Sequence, residues 1–315
     1  MARFGERTRS GTGLSNAMNW MPVTLDYQNS ATEVYYVVVG GGAGGGSGHE
    51  ARSGGGAGGY RTNYGAALGE LSGGTPGTLE TAPLPVTGGT NYTITIGAGG
   101  TVGSGNGPGN NGGPTTFGSI TSLGGGGGGN HNVAGQAGGS GGGGNTAGAG
   151  TTAQGRNGGS GAYTGNIIHG PWYGVGGGGA SAVGGNDGGA GRNSTITGTA
   201  TGFAGGGAGN HYVYGQNATN GLFNASHGGG GRTTGFANGQ PGATEGSQTG
   251  QGYARANSGG GGAAGFPGGT GVVIIRYSNS FDQLAFIDEG LVYSLTTAGT
   301  NHVYTFTAGT GVIRF

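Results

Sequence analysis

The sequence VYYVVVGGGAGGGSG, residues 34–48, joins two kinds of chain that seldom stand next to each other. Its first six residues are β-branched or aromatic, which favours an extended strand. The nine that follow are glycine apart from one alanine and one serine. The reverse order occurs further along, where GGTG leads into VVIIRY, residues 272–277. The two junctions predict a glycine-rich body that is framed by a strand at each end.

This body holds nearly all of the glycine in the protein. The chain has 315 residues and 93 glycines, and all but seven of these glycines lie between residues 40 and 271. We therefore predict three parts. An N-terminal arm covers residues 1–33, the glycine-rich body covers residues 34–277, and a C-terminal β-strand segment covers residues 278–315.

Charge and apolar content exclude several classes of protein. Eleven arginines balance eleven acidic residues, and there is no lysine and no cysteine. A neutral chain lacks the clustered positive charge that nucleic acids and anionic membranes attract. The longest apolar run, residues 34–39, is far shorter than the roughly 20 residues that span a bilayer. No apolar segment follows the arginines of the N-terminus, so no signal peptide is predicted. We expect no nucleic-acid partner, no membrane insertion and folding in the cytoplasm where the chain is made.

The cost of ordering so much glycine narrows the choice of fold. Glycine costs about 0.5–1 kcal/mol more than alanine to fix, which amounts to roughly 40–90 kcal/mol over the body. A disordered linker avoids this cost, but apolar segments such as GNIIHGPWYG, residues 165–174, are atypical of linkers. Collagen is excluded because the glycines have no three-residue period and proline is scarce. Polyglycine II helices, which pack closely and bond N–H to C=O sideways, offset the cost, and we predict a bundle of them. A glycine-rich β-solenoid or β-sandwich is the rival architecture.

Short strands are predicted elsewhere, and almost no α-helix. The alternation in NYTITIGAGG places Tyr92, Ile94 and Ile96 on one face of a half-buried strand. FGSITSL, residues 117–123, is a weaker strand candidate. Three further strand patterns, at residues 291–295, 302–307 and 312–315, predict a small antiparallel meander. The fold class is therefore mostly irregular and β, with a polyglycine II bundle framed by strands.

Signatures of catalysis and of cofactor binding are missing. Glycine-rich phosphate loops need a GK[ST] sequence, and the chain has no lysine. The six histidines never stand three or four residues apart, and the acidic residues are scattered, so no metal site and no carboxylate dyad is indicated. We expect no catalytic residue, no metal and no cofactor, and we expect that the protein is not an enzyme.

Aromatic residues in the loops are the best candidates for function. Loops on a rigid scaffold carry binding residues, and tyrosine, tryptophan and asparagine are common in binding surfaces. The same rings could instead form small hydrophobic clusters that close the ends of the bundle. The candidates are Tyr163, His169, Trp172, Tyr173, His211, Tyr212, Tyr214, Phe223 and Tyr253.

The sequences VYYVVVGGGAGGGSG, YTITIGAGG, GGGGAAGFPGGTGVVIIRY and YTFTAGTG resemble the glycine-rich domain of bacteriophage tail fibres and their adhesins. The resemblance covers roughly residues 34–277, and its paired junctions between strand and glycine tract are its specific part. It implies a polyglycine II bundle whose end loops bind a receptor on the host cell. It also implies a virion protein that is made in the host cytoplasm and released by lysis.

The resemblance assigns partners to the two ends of the chain. The loops would bind a host surface protein or glycan, and the arm would bind other virion or tail proteins, with a homo-oligomer such as a trimer possible. The alternatives are a structural fibre or capsid-decorating protein with inert loops and, as a distant third, an ice-binding protein. The candidates for virion attachment are Arg3, Arg7, Arg9, Trp20 and Met21.

Overall fold

The computed structural model describes residues 29–48, 51–65, 82–161, 172–212, 227–230 and 252–315. These residues form short β-strands joined by irregular segments, without a helix, as the composition predicts. None of them belongs to a helix that could cross a membrane. The strands are β1 Glu33–Val39, β2 Tyr60–Thr62, β3 Leu84–Pro85, β4 Tyr92–Thr95, β5 Thr115–Phe117, β6 Ile120–Ser122, β7 Trp172–Tyr173, β8 Arg192–Ser194, β9 Thr201–Phe203, β10 His211–Tyr212, β11 Val272–Ser278, β12 Phe286–Ile287, β13 Val292–Thr297, β14 Asn301–Ala308 and β15 Thr310–Arg314.

The two strands that frame the glycine body are neighbours in one antiparallel sheet. Strand β1 pairs with β11, with Val37 opposite Ile274, so the body leaves and re-enters the sheet at adjacent positions. The strand order is β13-β14-β11-β1-β2, and β3 pairs with the first residues of β1. Along β1, between the residues that pair with β3 and those that pair with β2, the Tyr36 N–H donates instead to the Asn63 side-chain oxygen at 2.7 Å. The predicted framing strands are confirmed.

A second antiparallel sheet covers one face of the first. Its order is β12-β15-β4-β5-β6. Side chains alternate along β1, so Tyr36 and Val38 contact the core between the sheets, which includes Ile94 and Phe117. Val37 lies on the opposite face, in a second buried cluster. Because both faces of β1 are covered, its apolar run is continuous rather than alternating.

Residues 117–123 and the C-terminal strands differ from the sequence prediction. The expected single strand is a hairpin, β5–β6, which turns at Gly118 with φ of +55°. The expected C-terminal meander is wrong in its last strand. Strands β13 and β14 do pair with each other, but β15 joins the second sheet, between β12 and β4. The reason is burial, because Ile313 and Phe315 fill the core between the sheets.

Within the glycine body, the backbone of residues 40–47 bonds to a different neighbour at each successive residue. The N–H groups of Gly40, Ala43 and Gly46 donate to the carbonyls of Gly59, Gly56 and Ser53. The N–H groups of residues 41, 44 and 47 donate to residues 113, 110 and 107, and those of residues 42 and 45 donate to residues 269 and 266. Each neighbour is therefore met at every third residue.

The segment 53–59 lies at the centre of this arrangement. It donates N–H groups to three segments, at residues 123–129, 175–178 and 259–262. It accepts from three others, at residues 40–46, 140–143 and residue 207. Six segments thus surround one, all joined through the backbone. This satisfies the buried amide groups without the ladder of a pleated sheet.

The close approach of these segments explains the absence of side chains. A Cβ atom at Gly54, Gly55 or Gly58 would overlap a carbonyl oxygen of the adjacent segment. Alanine occurs where a methyl group has room, and both Ala43 and Ala57 are fully buried. The glycine runs are therefore required by packing between backbones, and the fold of the body depends on them.

Candidate functional site

Different parts of the chain lie at the two ends of the molecule. We call the first end the base, which comprises Asn29, residues 278–282 and Phe315. There the Asn29 amide donates to the Ser280 carbonyl at 3.1 Å, and the Asn29 carbonyl accepts from the Asp282 N–H at 3.0 Å. Phe315 contacts the base end of β11 through the Tyr277 ring, with centroids 5.8 Å apart. The described chain thus begins and ends at the base.

The opposite end is the distal tip, which we define by Arg52, Asn130 and Asn210. The segment that leaves β1 at Gly40 turns back between Gly46 and Ser53, roughly 20 Å away at the rise of an extended chain. The Arg52 N–H donates to the Asn210 side-chain oxygen at 2.5 Å, and the Asn210 N–H donates to the Arg52 carbonyl at 3.1 Å. Arg52 also forms an isolated β-bridge with Asn130. Three distant parts of the sequence therefore meet at the tip.

Two of the predicted binding loops come together there. Strand β7 pairs with β10, placing Tyr173 opposite His211 and Trp172 opposite Tyr212. The Gly174 N–H donates to the Asn210 carbonyl at 2.7 Å, which joins this ribbon to the tip. Two adjacent pairs of candidates, which lie 38 residues apart in sequence at their nearest, thus share one ribbon.

Tyr253 lies outside the β7–β10 ribbon. It is 42% exposed, and its ring meets Phe266 edge to face with centroids 5.1 Å apart. The Phe266 carbonyl accepts from the Gly45 N–H, one residue short of the distal turn. Sequence analysis missed Phe266, although an aromatic residue before proline in FPGG marks a turn that could have drawn attention.

The other candidates lie outside the described residues. In the loops these are Tyr163, His169, Tyr214 and Phe223, and in the arm they are Arg3, Arg7, Arg9, Trp20 and Met21.

A small cleft lies beside the ribbon at the tip. Its volume is about 10 Å³, the space of one water-sized group. Sequence analysis did not predict it, because its polar side chains come from separate segments. The residues that line it are Ser53, Asn130, His131, Gly144, Asn145, Gly161 and Tyr173.

Asn130 holds the loops around this cleft in place. Its amide group donates to the Ser47 carbonyl at 3.3 Å and to the Asn106 carbonyl at 2.7 Å. Its side-chain oxygen accepts from the N–H groups of Asn132 and Val133, at 2.9 and 3.0 Å. Since all these partners are backbone groups, Asn130 fixes the loops whatever side chains they carry. Its position directly after the glycine run 124–129 was the signal available in the sequence.

Burial is the main cause of the pKa shifts among the described residues. Burial lowers the pKa of Arg52 at the tip, although an arginine stays charged at neutral pH. Burial raises the pKa of Tyr36 to about 12, and it also raises the pKa of Tyr277 and Tyr304. These three tyrosines lie in the core between the sheets and stay neutral. No group of three metal-binding side chains occurs among the described residues.

The fold defines a β-protein in which framing strands support a glycine-rich body with loops at its far end. The sequence model of one family, described as a glycine-rich domain, matches residues 19–278. The chain belongs to this family, as the resemblance predicted for its glycine-rich body. The match ends at the last residue of β11, so β12 to β15 lie beyond it. No curated protein and no solved structure matches the chain.

Proposed function

We propose that the glycine body is a bundle of polyglycine II helices. This helix has three residues per turn and no internal hydrogen bonds, so its N–H groups point to three sides in succession. The three-residue recurrence of partners along residues 40–47 supports this, as does the set of six neighbours around residues 53–59. An experimental structure tests it, because the runs should have φ near −75° and ψ near +145°, away from the values of pleated strands.

We further propose that the protein is a bacteriophage tail fibre or adhesin, a virion protein that binds a receptor on the host cell. The observation that carries this proposal is that the N-terminal attachment point and the aromatic ribbon lie at opposite ends of the molecule. Residues 1–28 join the structure at the base, whereas the β7–β10 ribbon lies at the distal tip. A chain attached to the virion through its arm would present the ribbon outward. Membership in the glycine-rich domain family is consistent with this but does not specify a virion.

The two ends of the molecule are assigned different partners. The base and the arm would bind other virion or tail proteins, alone or as a homo-oligomer, and the tip would bind a host surface protein or glycan. Backbone packing leaves few side chains on the body for recognition, since the glycine runs are bare. Recognition is therefore assigned to the loops, which carry the aromatic residues.

Binding of purified protein to host cells tests the adhesin function. The full chain, labelled with a fluorophore, is incubated with candidate host bacteria, and bound protein is measured by flow cytometry. We expect saturable binding that Trp172→Ala weakens about tenfold. Val183→Ala, at an exposed site outside β7, is the matched control. Binding to no host, together with normal infection by phage that carry Trp172→Ala, would instead favour a structural fibre or decoration protein. Thermal hysteresis in the same preparation would favour ice binding.

A further inference from the structure

The cleft at the distal tip has a size that restricts its ligand. About 10 Å³ holds one water-sized group, such as a hydroxyl. Two of its lining residues, Gly144 and Gly161, are bare backbone, and the Gly161 N–H donates to the Gly144 carbonyl at 2.7 Å. The wall is thus fixed by a main-chain hydrogen bond, and the cleft is formed before any ligand arrives.

Ser53 and Asn145 each bring a hydrogen-bond donor to the lining. Ser53 is only 2% exposed, and its hydroxyl oxygen accepts from the Val175 N–H at 3.3 Å, so the hydroxyl proton can be donated to a ligand. Asn145 is exposed, and its side-chain oxygen accepts from the Thr146 N–H at 2.6 Å, which leaves the NH₂ group as a donor. Among the described residues of the lining there is no Asp, Glu, Arg or Lys, which favours a neutral ligand.

Tyr173 adds an aromatic ring to these donors. It lines the cleft, is partly exposed, and stands in the β7–β10 ribbon opposite His211. A hexose has an apolar face of C–H groups that packs on such a ring, while its hydroxyl groups require donors and acceptors nearby. Tyrosine suits a partner with an apolar side and a polar side. Ring, hydroxyl and amide together match the chemistry of a sugar.

We propose that this cleft binds a neutral hexose of a host surface glycan. One sugar hydroxyl enters between Ser53 and Asn145 and accepts their hydrogen bonds, and the sugar ring lies on Tyr173. The inference rests on the proposed adhesin function and names the ligand class of its tip.

Saturation-transfer NMR on the full chain tests the site. The probes are the methyl glycosides of glucose, galactose and mannose, with N-acetylneuraminic acid as the anionic comparison. At least one neutral hexose should receive saturation and shift the side-chain NH₂ signal of Asn145. Asn145→Asp keeps the oxygen that holds Thr146 but loses the NH₂ donor, and should weaken binding about fivefold. Tyr173→Ala should abolish the transfer, whereas Tyr173→Phe should keep it.

Cell binding measured on the same preparation separates the outcomes. Binding to cells without transfer to any hexose would overturn the glycan proposal and leave the adhesin function standing. Transfer to a hexose without binding to any cell would overturn the adhesin function and retain the sugar site. Equal affinity of the unaltered chain, Asn145→Asp and Tyr173→Ala would refute the placement in this cleft. Equal binding of N-acetylneuraminic acid would refute the neutral class.

Discussion

Replacing Gly55 by alanine tests whether packing between backbones holds the body together. Gly55 lies in the central segment, where an added Cβ would overlap the carbonyl oxygen of Ala43. Residues 40–46 and 53–59 must then separate, which weakens the hydrogen bond between them from the Ala43 N–H to the Gly56 carbonyl at 2.9 Å. The separation also displaces the Ala43 carbonyl, which accepts from the Gly262 N–H at 2.9 Å. The two bonds contribute about 2 kcal/mol, and the overpacking costs about 2 kcal/mol more.

The unfolded chain partly offsets this loss. Alanine has fewer accessible backbone conformations than glycine, which favours folding by about 0.4–1 kcal/mol. The expected net destabilisation is therefore about 3 kcal/mol, measured as the free energy of unfolding in urea. Gly185→Ala is the matched control, because its Cβ would meet nothing within 4 Å. It should leave stability unchanged or raise it slightly. If Gly55→Ala unfolds at the same urea concentration as Gly185→Ala, the packing argument is wrong.

Three further predictions concern the sheet that contains β1 and β14. Gly299→Ala should lower the free energy of unfolding by about 1 kcal/mol, because a φ of +60° disfavours a side chain. No steric clash contributes, since nothing lies within 4 Å of the new Cβ. An unchanged melting temperature would contradict this. Tyr304→Phe should lower the free energy of unfolding, measured in urea, by about 1 kcal/mol. The reason is that the Leu284 N–H donates to the Tyr304 hydroxyl at 3.0 Å and would lose its acceptor. A stability equal to that of the unaltered protein would refute this. The raised pKa of Tyr36, about 12 against an ordinary value of 10.0, means that the unfolded chain loses its proton first, so stability should fall between pH 10 and 12. Tyr36→Phe should reduce that slope by one proton, or about 1.4 kcal/mol per pH unit, and an unchanged slope would count against the burial of this hydroxyl.

The framing strands could be predicted because their own side chains determine them. The runs at β1 and β11 are β-branched and aromatic, and burial on both faces of the sheet agrees with that local preference. The pairing of β15 could not be predicted in the same way. Strand β15 pairs with β4 because Ile313 is buried in the core there. That burial depends on the second sheet rather than on the adjacent hairpin.

The candidate site was predictable in part. The aromatic loops pointed to Tyr173 and His211, but nothing local indicated that the two would share a ribbon. Ser53 and Asn145 carry no motif and stand 92 residues apart. They meet only because neighbouring segments of the body run side by side, and that arrangement is set by main-chain hydrogen bonds.

Hydrogen bonds between backbone groups do not by themselves specify how two glycine segments align. Because each partner recurs at every third residue, a glycine segment displaced by three residues along its neighbour would form the same set of hydrogen bonds. The correct alignment must therefore be imposed by the few features that differ along a run. These are the buried methyl groups of Ala43 and Ala57 and the strands that fix one end of each segment, β1 before Gly40 and β2 after Gly59. The framing strands thus determine the alignment of segments that carry few distinguishing features of their own, and errors in assembly should take the form of slips by three residues.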